Sequence, residues 1–245
     1  MSLEDIKLLL KTNKFDFHYV QEVKSTMTEI KLLTSENNIC LMANTQTDGV
    51  GRRGTAWISP KGNVYLSLLL KNVLNVKNHF LNTAYTSNII CDVLEKICNI
   101  ETKIKWPNDI LIKDKKVSGI ISEIYKKNNE VVLNTGIGIN IISSPNINDY
   151  PTTCVNEYNK KIDNLKFVFE LMDQYLLNLH LLRNYSDSII EKYKLRLKFF
   201  KTNIKLKFEN NSIQEGIFYD LNNDGSIRFK TNFSSENIYN ARILK

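Results

Sequence analysis

The chain has 245 residues, of which 42% are hydrophobic and 24% charged, with a formal net charge of +7. This is the composition of a soluble globular protein with room for one good-sized domain and a small appendage, and no run approaches the roughly 20 apolar residues of a membrane span. Basic charge admits nucleic acid or an acidic partner, but the lysines are scattered, and a Lys-, Asn- and Ile-rich bias also arises from an AT-rich genome.

MSLEDIKLLLK lacks the apolar core of a secretory signal and predicts a short helix over 3–11. FHYVQEV (17–23) alternates as a strand does. STMTEIKLLTSE then opens a helix, with Thr26 and Glu29 at capping-box spacing. ICLMANTQ (39–46) and NVYLSLLLK (63–71) predict strands on either side of a glycine-rich stretch, and residues 79–98 predict a long amphipathic helix. KIKW and DILIK are short strands broken by Pro107, while KVSGIISEIYKK and EVVLNTGIGIN form a hairpin turning at Asn128-Asn129. A polar surface loop is expected over 143–161, then helices over about 164–183 and 187–197. Four short β segments make up the tail from about 202. The four cysteines, Cys40, Cys91, Cys98 and Cys154, form no C-x-x-C pair and are expected as buried free thiols of a reducing cytosol.

Residues 49–54, GVGRRG, are a literal G-x-G-x-x-G. A dinucleotide-binding turn needs a helix directly after the glycines. Here TAWISPKGN follows, with Pro60 and Gly62, and then a strand. A phosphate-binding loop of the other common kind needs Lys where Thr55 stands. What is left is a flexible loop carrying two guanidinium forks suited to phosphate or carboxylate, with Trp57 to pack a flat ring. The plainer reading is a hairpin with solvated arginines. Plain readings also exist for the other stretches: Asn108 and Asp109 as turn formers, Lys116 as an edge-strand lysine, and GIGIN (136–140) as close strand packing.

The conjunction is more specific than its parts. QTDGVGRRGTAWISPKGNVYLS, KWPNDI, KVSGI and GIGIN, in that order and spacing and with VKST ahead of them, resemble the biotin–protein ligase family (biotin–acetyl-CoA-carboxylase ligases) over nearly the whole chain. The resemblance implies an α+β fold: a mixed β-sheet with helices in a class II synthetase-like catalytic domain over 1–198, and a small SH3-like β-barrel over 199–245. It implies that biotin and ATP, with Mg2+ accompanying the nucleotide, form biotinyl-5′-AMP. The biotinyl group then passes to one lysine of a biotin carboxyl carrier domain of a carboxylase.

By the same resemblance, Lys116 and Arg52 neutralise the reacting anions, and Asp109 positions metal or the incoming amine. The biotin site is formed by Ser25, Thr26, Gln46, Gly49, Val50, Gly51, Arg52, Lys116, Gly119, Gly136 and Gly138. Arg52, Arg53, Trp57, Asn108, Lys116 and Asn140 face the nucleotide, and no side-chain cluster holds a resident metal. The family usually has Arg at the positions of Val50 and Thr55 and Asn at that of Met27, which implies weaker retention of the adenylate. Ser25 and Thr26 lie so near the start that the resemblance implies the single-function form, without a DNA-binding domain and in the cytoplasm; a homodimer is left open. A lipoate or octanoate ligase or transferase of the same fold is the alternative. A non-catalytic nucleic-acid-binding protein is the alternative from another class, and a dehydrogenase is excluded by the missing helix after Gly54.

Overall fold

The computed structural model describes residues 1–71, 79–148 and 150–244. Helix α1 (Leu3–Thr12) is capped by Ser2, whose side chain accepts from the Asp5 amide while Asp5 reaches back. A seven-stranded sheet follows in the order β1-β2-β3-β7-β6-β5-β4. Its strands are β1 (Phe15–Val23), β2 (Asn38–Gln46), β3 (Val64–Lys71), β4 (Thr102–Lys105), β5 (Asp109–Ile112), β6 (Lys115–Lys127) and β7 (Glu130–Ile139). Only β1 and β2 run parallel; every other neighbouring pair is antiparallel, so the sheet is mixed as expected. The β6–β7 hairpin turns at Asn128 and Asn129, both at positive φ (49° and 64°), as a two-residue turn matched to strand twist requires.

Helix α3 (His79–Cys98) lies on the sheet, and α4 (Asn164–Leu177), α5 (Leu181–Asn184) and α6 (Ser186–Arg196) pack around it. An amphipathic helix was expected there, with its polar side to water. Instead Asn82, Thr83, Thr86, Ser87 and Asn88 of α3 are buried as well, because α4 and α6 cover the second face. Three of them bond internally: Asn82 Nδ2 donates to Thr135 Oγ1 (2.6 Å), Thr83 Oγ1 donates to Ser122 Oγ (3.1 Å), and Asn88 Nδ2 donates to Ile189 O (2.9 Å), whereas Thr86 Oγ1, Ser87 Oγ and Asn88 Oδ1 have no hydrogen-bond partner among the described residues.

Two further expectations change. The helix after Ser25 is a single turn, α2 (Thr26–Glu29), and the capping box is absent. Thr26 does not cap it, since its amide and hydroxyl both donate to Gln46 Oε1 (2.8 and 3.1 Å), a tertiary contact that local spacing does not reveal. The stretch 143–161 is not simply a surface loop. It buries Thr153, Cys154 and Val155 and runs beside β6, where the Lys116 amide donates to Pro151 O (2.9 Å) and the Thr153 amide to Lys116 O (3.0 Å). The four cysteines are free and buried, as expected.

The tail forms a second sheet in the order β11-β10-β9-β8-β12. Its strands are β8 (Asn203–Lys207), β9 (Ile213–Leu221), β10 (Ile227–Lys230), β11 (Ser235–Ile238) and β12 (Arg242–Ile243). A barrel was expected; the strand pairings among the described residues leave β11 and β12 as edges. One hydrophobic core runs continuously from Ile6 to Ile243, so the two sheets share an interior. At their junction Trp106 Nε1 donates to Gly225 O (2.7 Å). Gly225 has φ +87°, and a Cβ there would lie 2.8 Å from Phe80 Cδ1, so a side chain does not fit. Replacing Trp106 by Phe keeps the aromatic bulk and leaves the Gly225 carbonyl unpaired. The expected cost is about 1–3 kcal/mol in urea unfolding, with an unchanged denaturant slope.

Candidate active site

The glycine stretch is a hairpin between β2 and β3, and no α-helix follows it. The Trp57 amide donates to Gly49 O (2.7 Å), the Gly51 amide to Thr55 O (2.6 Å), and residues 52–54 make a tight 3-10 turn. The hairpin sends Trp57 inward over the glycines of β6 and β7. A Cβ on Gly119 would lie 3.0 Å from the indole, and one on Gly138 would lie 2.6 Å from Trp57 Nε1. Met27 fills the matching space over Gly136, where a Cβ would meet its Sδ at 2.6 Å. These three glycines therefore make room for side chains that cross the sheet face.

A cavity of about 590 Å³ opens at this place. At one end Ser67 Oγ donates to Thr26 Oγ1 (2.9 Å), Thr26 donates to Gln46, Gln46 Nε2 donates to Ser59 Oγ (2.9 Å), and Ser59 Oγ donates to Trp57 O (2.9 Å). This chain of bonds fixes the carboxamide of Gln46 and leaves Ser25 Oγ and Trp57 Nε1 buried without a hydrogen-bond partner among the described residues. Such groups cost free energy unless something pairs with them.

At the other end the charges gather. Lys116 Nζ lies 2.7 Å from Asp109 Oδ1, with both side chains mostly buried. Arg52 Nη1 donates to Asn108 Oδ1 (3.3 Å), and Asn108 is locked in turn because its Nδ2 donates to Ile120 O (2.7 Å). Burial, with Arg53 beside it, holds the Arg52 guanidinium below the ordinary arginine range, against the pull of Asp109. Lys105 likewise lies below the ordinary lysine range. Burial is the main cause; Arg242, Lys198 and Lys116 add to it, and Asp109 opposes.

Ser25, Thr26, Gln46, Val50, Gly51, Arg52, Arg53, Trp57, Asn108, Asp109, Lys116, Gly119, Gly136 and Gly138 all line the cavity. Arg52 and Lys116 thus share one chamber. Gly49 and Asn140 are not brought to it. Gly49 serves the close approach of the hairpin to Trp57 O. The amide of Asn140 is buried and donates to Thr153 O (3.1 Å), holding the loop after β7. Arg53 reaches the cavity from its rim, where its Nε donates to Asn240 Oδ1 (2.9 Å). Sequence reasoning missed Lys105, Asp114, Tyr150, Pro151, Lys198, Phe199 and Arg242, which also line the cavity. Lys105 adjoins the W-P-N-D run and was legible there. Asp114 lies in the turn just before Lys116; the others arrive from distant segments and carry no local signal.

A conserved-domain description, the Biotin/lipoate A/B protein ligase family, matches residues 17–140. The chain belongs to that family. It is 28% identical over 259 aligned residues to the bifunctional ligase/repressor BirA of Bacillus subtilis, covering 99% of this chain and 78% of that protein. It is 29% identical over 131 residues to biotin–protein ligase 2 of Arabidopsis thaliana, where the match spans 51% of this chain and 38% of that protein. Among solved structures, the biotin protein ligase of Aquifex aeolicus in complex with biotin and ATP superposes with a TM-score of 0.78 at 25% identity, covering 93% of this chain and 97% of that one. The biotin protein ligase of Leishmania major, at 18% identity and a TM-score of 0.62, shares the fold.

Since the chain has two tryptophans, Trp106→Phe leaves Trp57 as the sole indole reporter. In that background Gly138→Val forces the indole off the sheet, so its fluorescence emission shifts to the red. An unchanged spectrum would mean that Trp57 does not pack on β7.

Proposed function

We propose that this family member is a biotin–protein ligase that activates biotin with ATP to biotinyl-5′-AMP and passes the biotinyl group to a lysine of a biotin carboxyl carrier domain. The observation that carries this reading is the position of Arg52 and Lys116 on one cavity whose far end presents Thr26, Gln46 and the unpartnered Ser25 hydroxyl.

Biotin has a carboxylate at one end and a ureido group at the other. The ureido edge suits the hydroxyls and carboxamide of Ser25, Thr26 and Gln46, which pair with its polar atoms once it is buried. The carboxylate then points toward Lys116 and Arg52. Attack of a carboxylate on the ATP α-phosphorus brings two anions together and builds charge on the phosphoryl oxygens. Fixed cations in a water-poor chamber offset that charge without reorganising. Pyrophosphate leaves, and Lys105, Lys198 and Arg242 are the cations placed to receive it. The nucleotide enters as its magnesium complex, with the ion held by phosphate oxygens and water. Both cavity carboxylates are already engaged, Asp109 with Lys116 and Asp114 with Lys198 at 2.6 Å.

In the second half-reaction the carrier lysine attacks the acyl carbon and AMP departs. Asp109, able to accept a proton and already beside Lys116, positions that amine. The hairpin over 47–57 closes over the adenylate and keeps water from the mixed anhydride. ATP and four buried free thiols suit the cytoplasm.

Incubation of the purified chain with biotin, MgATP and a carrier domain should add one biotinyl mass to the carrier. Lipoate in place of biotin should not, and labelling with lipoate alone would move the reading to the other acyl class of the family. Arg52→Ala and Lys116→Ala should each slow adenylation about 10²–10³-fold. Amide exchange across 47–56 should slow when biotin and MgATP are added, and an unchanged pattern would remove the closing hairpin. Restoring the family's cations with Val50→Arg and Thr55→Arg should lengthen the lifetime of enzyme-bound biotinyl-AMP. Equal lifetimes would show that the two departures do not weaken retention.

A further inference from the structure

The Lys116 side chain is held on three sides. Its Nζ lies 2.7 Å from Asp109 Oδ1, 5.1 Å from the centre of the Trp57 ring and 5.2 Å from the centre of the Tyr150 ring. The three holders come from three segments: β5, the glycine hairpin, and the stretch after β7. The last of these is fastened to Lys116 itself. The Lys116 amide donates to Pro151 O (2.9 Å) and the Thr153 amide donates to Lys116 O (3.0 Å), so Tyr150 keeps its place relative to the lysine backbone.

The three contacts differ in kind. An ammonium has three N–H donors, and a carboxylate takes up a donor directly. An aromatic face attracts the charge through its quadrupole without such a directed bond. Two rings and one carboxylate thus orient Nζ while leaving donors for the oxygens of an incoming carboxylate and phosphate. A second acid in place of a ring would compete with those anions, and an aliphatic side chain would let the long lysine wander among rotamers.

We propose that Tyr150 is a positioning residue for Lys116: its ring, with that of Trp57, fixes the ammonium where the reacting oxygens arrive, and so promotes acid activation. This rests on the reading of Lys116 given above. The ring face carries the effect and the phenol hydroxyl does not. The simpler role for an aromatic ring on a nucleotide cavity is a surface for the base, and the two roles part in the kinetics.

The test is acid-dependent exchange of pyrophosphate into ATP by the full chain, with Tyr150→Ala, Tyr150→Phe, Lys116→Ala and the Lys116→Ala/Tyr150→Ala double variant. Tyr150→Ala should lower kcat about five- to tenfold, the size of one partly desolvated cation–π contact, with the KM for ATP within twofold. Tyr150→Phe should match the unmodified chain. In the Lys116→Ala background, Tyr150→Ala should add nothing, because the group it acts through is gone. A raised KM for ATP with kcat kept, or losses that multiply in the double variant, would overturn the proposal. Running biotin, lipoate and octanoate in parallel separates the two claims. Exchange with another acid only sinks the biotin reading and leaves the cycle to judge Tyr150, whereas exchange with no acid sinks both.

Discussion

The Lys116–Asp109 ion pair lies in a cavity with an excess of positive charge. Arg52, Arg53, Lys105, Lys116, Lys198 and Arg242 line it, against the carboxylates of Asp109 and Asp114. Like charges brought together away from water repel strongly; at Lys105, Arg242, Lys198 and Lys116 add a smaller contribution of this kind to the lowering that burial mainly causes. The folded protein thereby stores a demand for anions in one place. A carboxylate and a polyphosphate, which repel each other in solution, each lower the free energy of this chamber. In the reaction proposed above, the same charges would assist their encounter and offset the charge that builds in the transition state.

The walls of this chamber must be thin where Trp57 and Met27 cross them. The glycines of β6 and β7 provide this. They let Trp57 and Met27 lie against the strands, and any side chain at Gly136 or Gly138 would collide with them. The opposite face of the same strands is rigid, since Ser122 and Thr135 are tied to the buried polar residues of α3. A glycine-lined face toward the cavity and a hydrogen-bonded face toward α3 are arranged on alternate residues of the same strands, as the two-residue period of a strand requires.

How much of this was legible in the sequence depends on the range over which each feature is determined. Strand alternation, the Asn128-Asn129 turn and the long run over 79–98 are local, and those elements formed where expected. The motif residues Arg52, Asn108, Asp109 and Lys116 could be picked out because each sits in a compact run of unusual types. The capping box at Thr26 failed for the opposite reason: its hydroxyl answers to Gln46 and Ser67, which are far along the chain. Tyr150 was hidden in a stretch whose polarity looked like that of an exposed loop. Its placement depends on backbone bonds to Lys116, and backbone bonding across a fold leaves no compositional trace. Lys198 and Phe199, in the turn between α6 and β8, and Arg242, in β12, were invisible because nothing in a short turn or β segment announces that it will face a cavity built by another sheet.

That last group bears on what the small C-terminal sheet does. Were it an appendage, the cavity would be complete without it. Instead the wall takes Ala241, Arg242, Ile243 and Leu244 from the tail, and Lys198 and Phe199 from the segment leading into it. The division expected near residue 198 therefore runs along the edge of the site. Two further contacts join the second sheet to elements of the site. Trp106, whose neighbours Lys105, Asn108 and Asp109 face the cavity, is anchored to Gly225. Arg53 at the tip of the glycine hairpin is anchored to Asn240. A hairpin that moves over a ligand must either carry Asn240 with it or release it. On the closing of the hairpin proposed above, the free energy of that motion would then include a contribution from the tail.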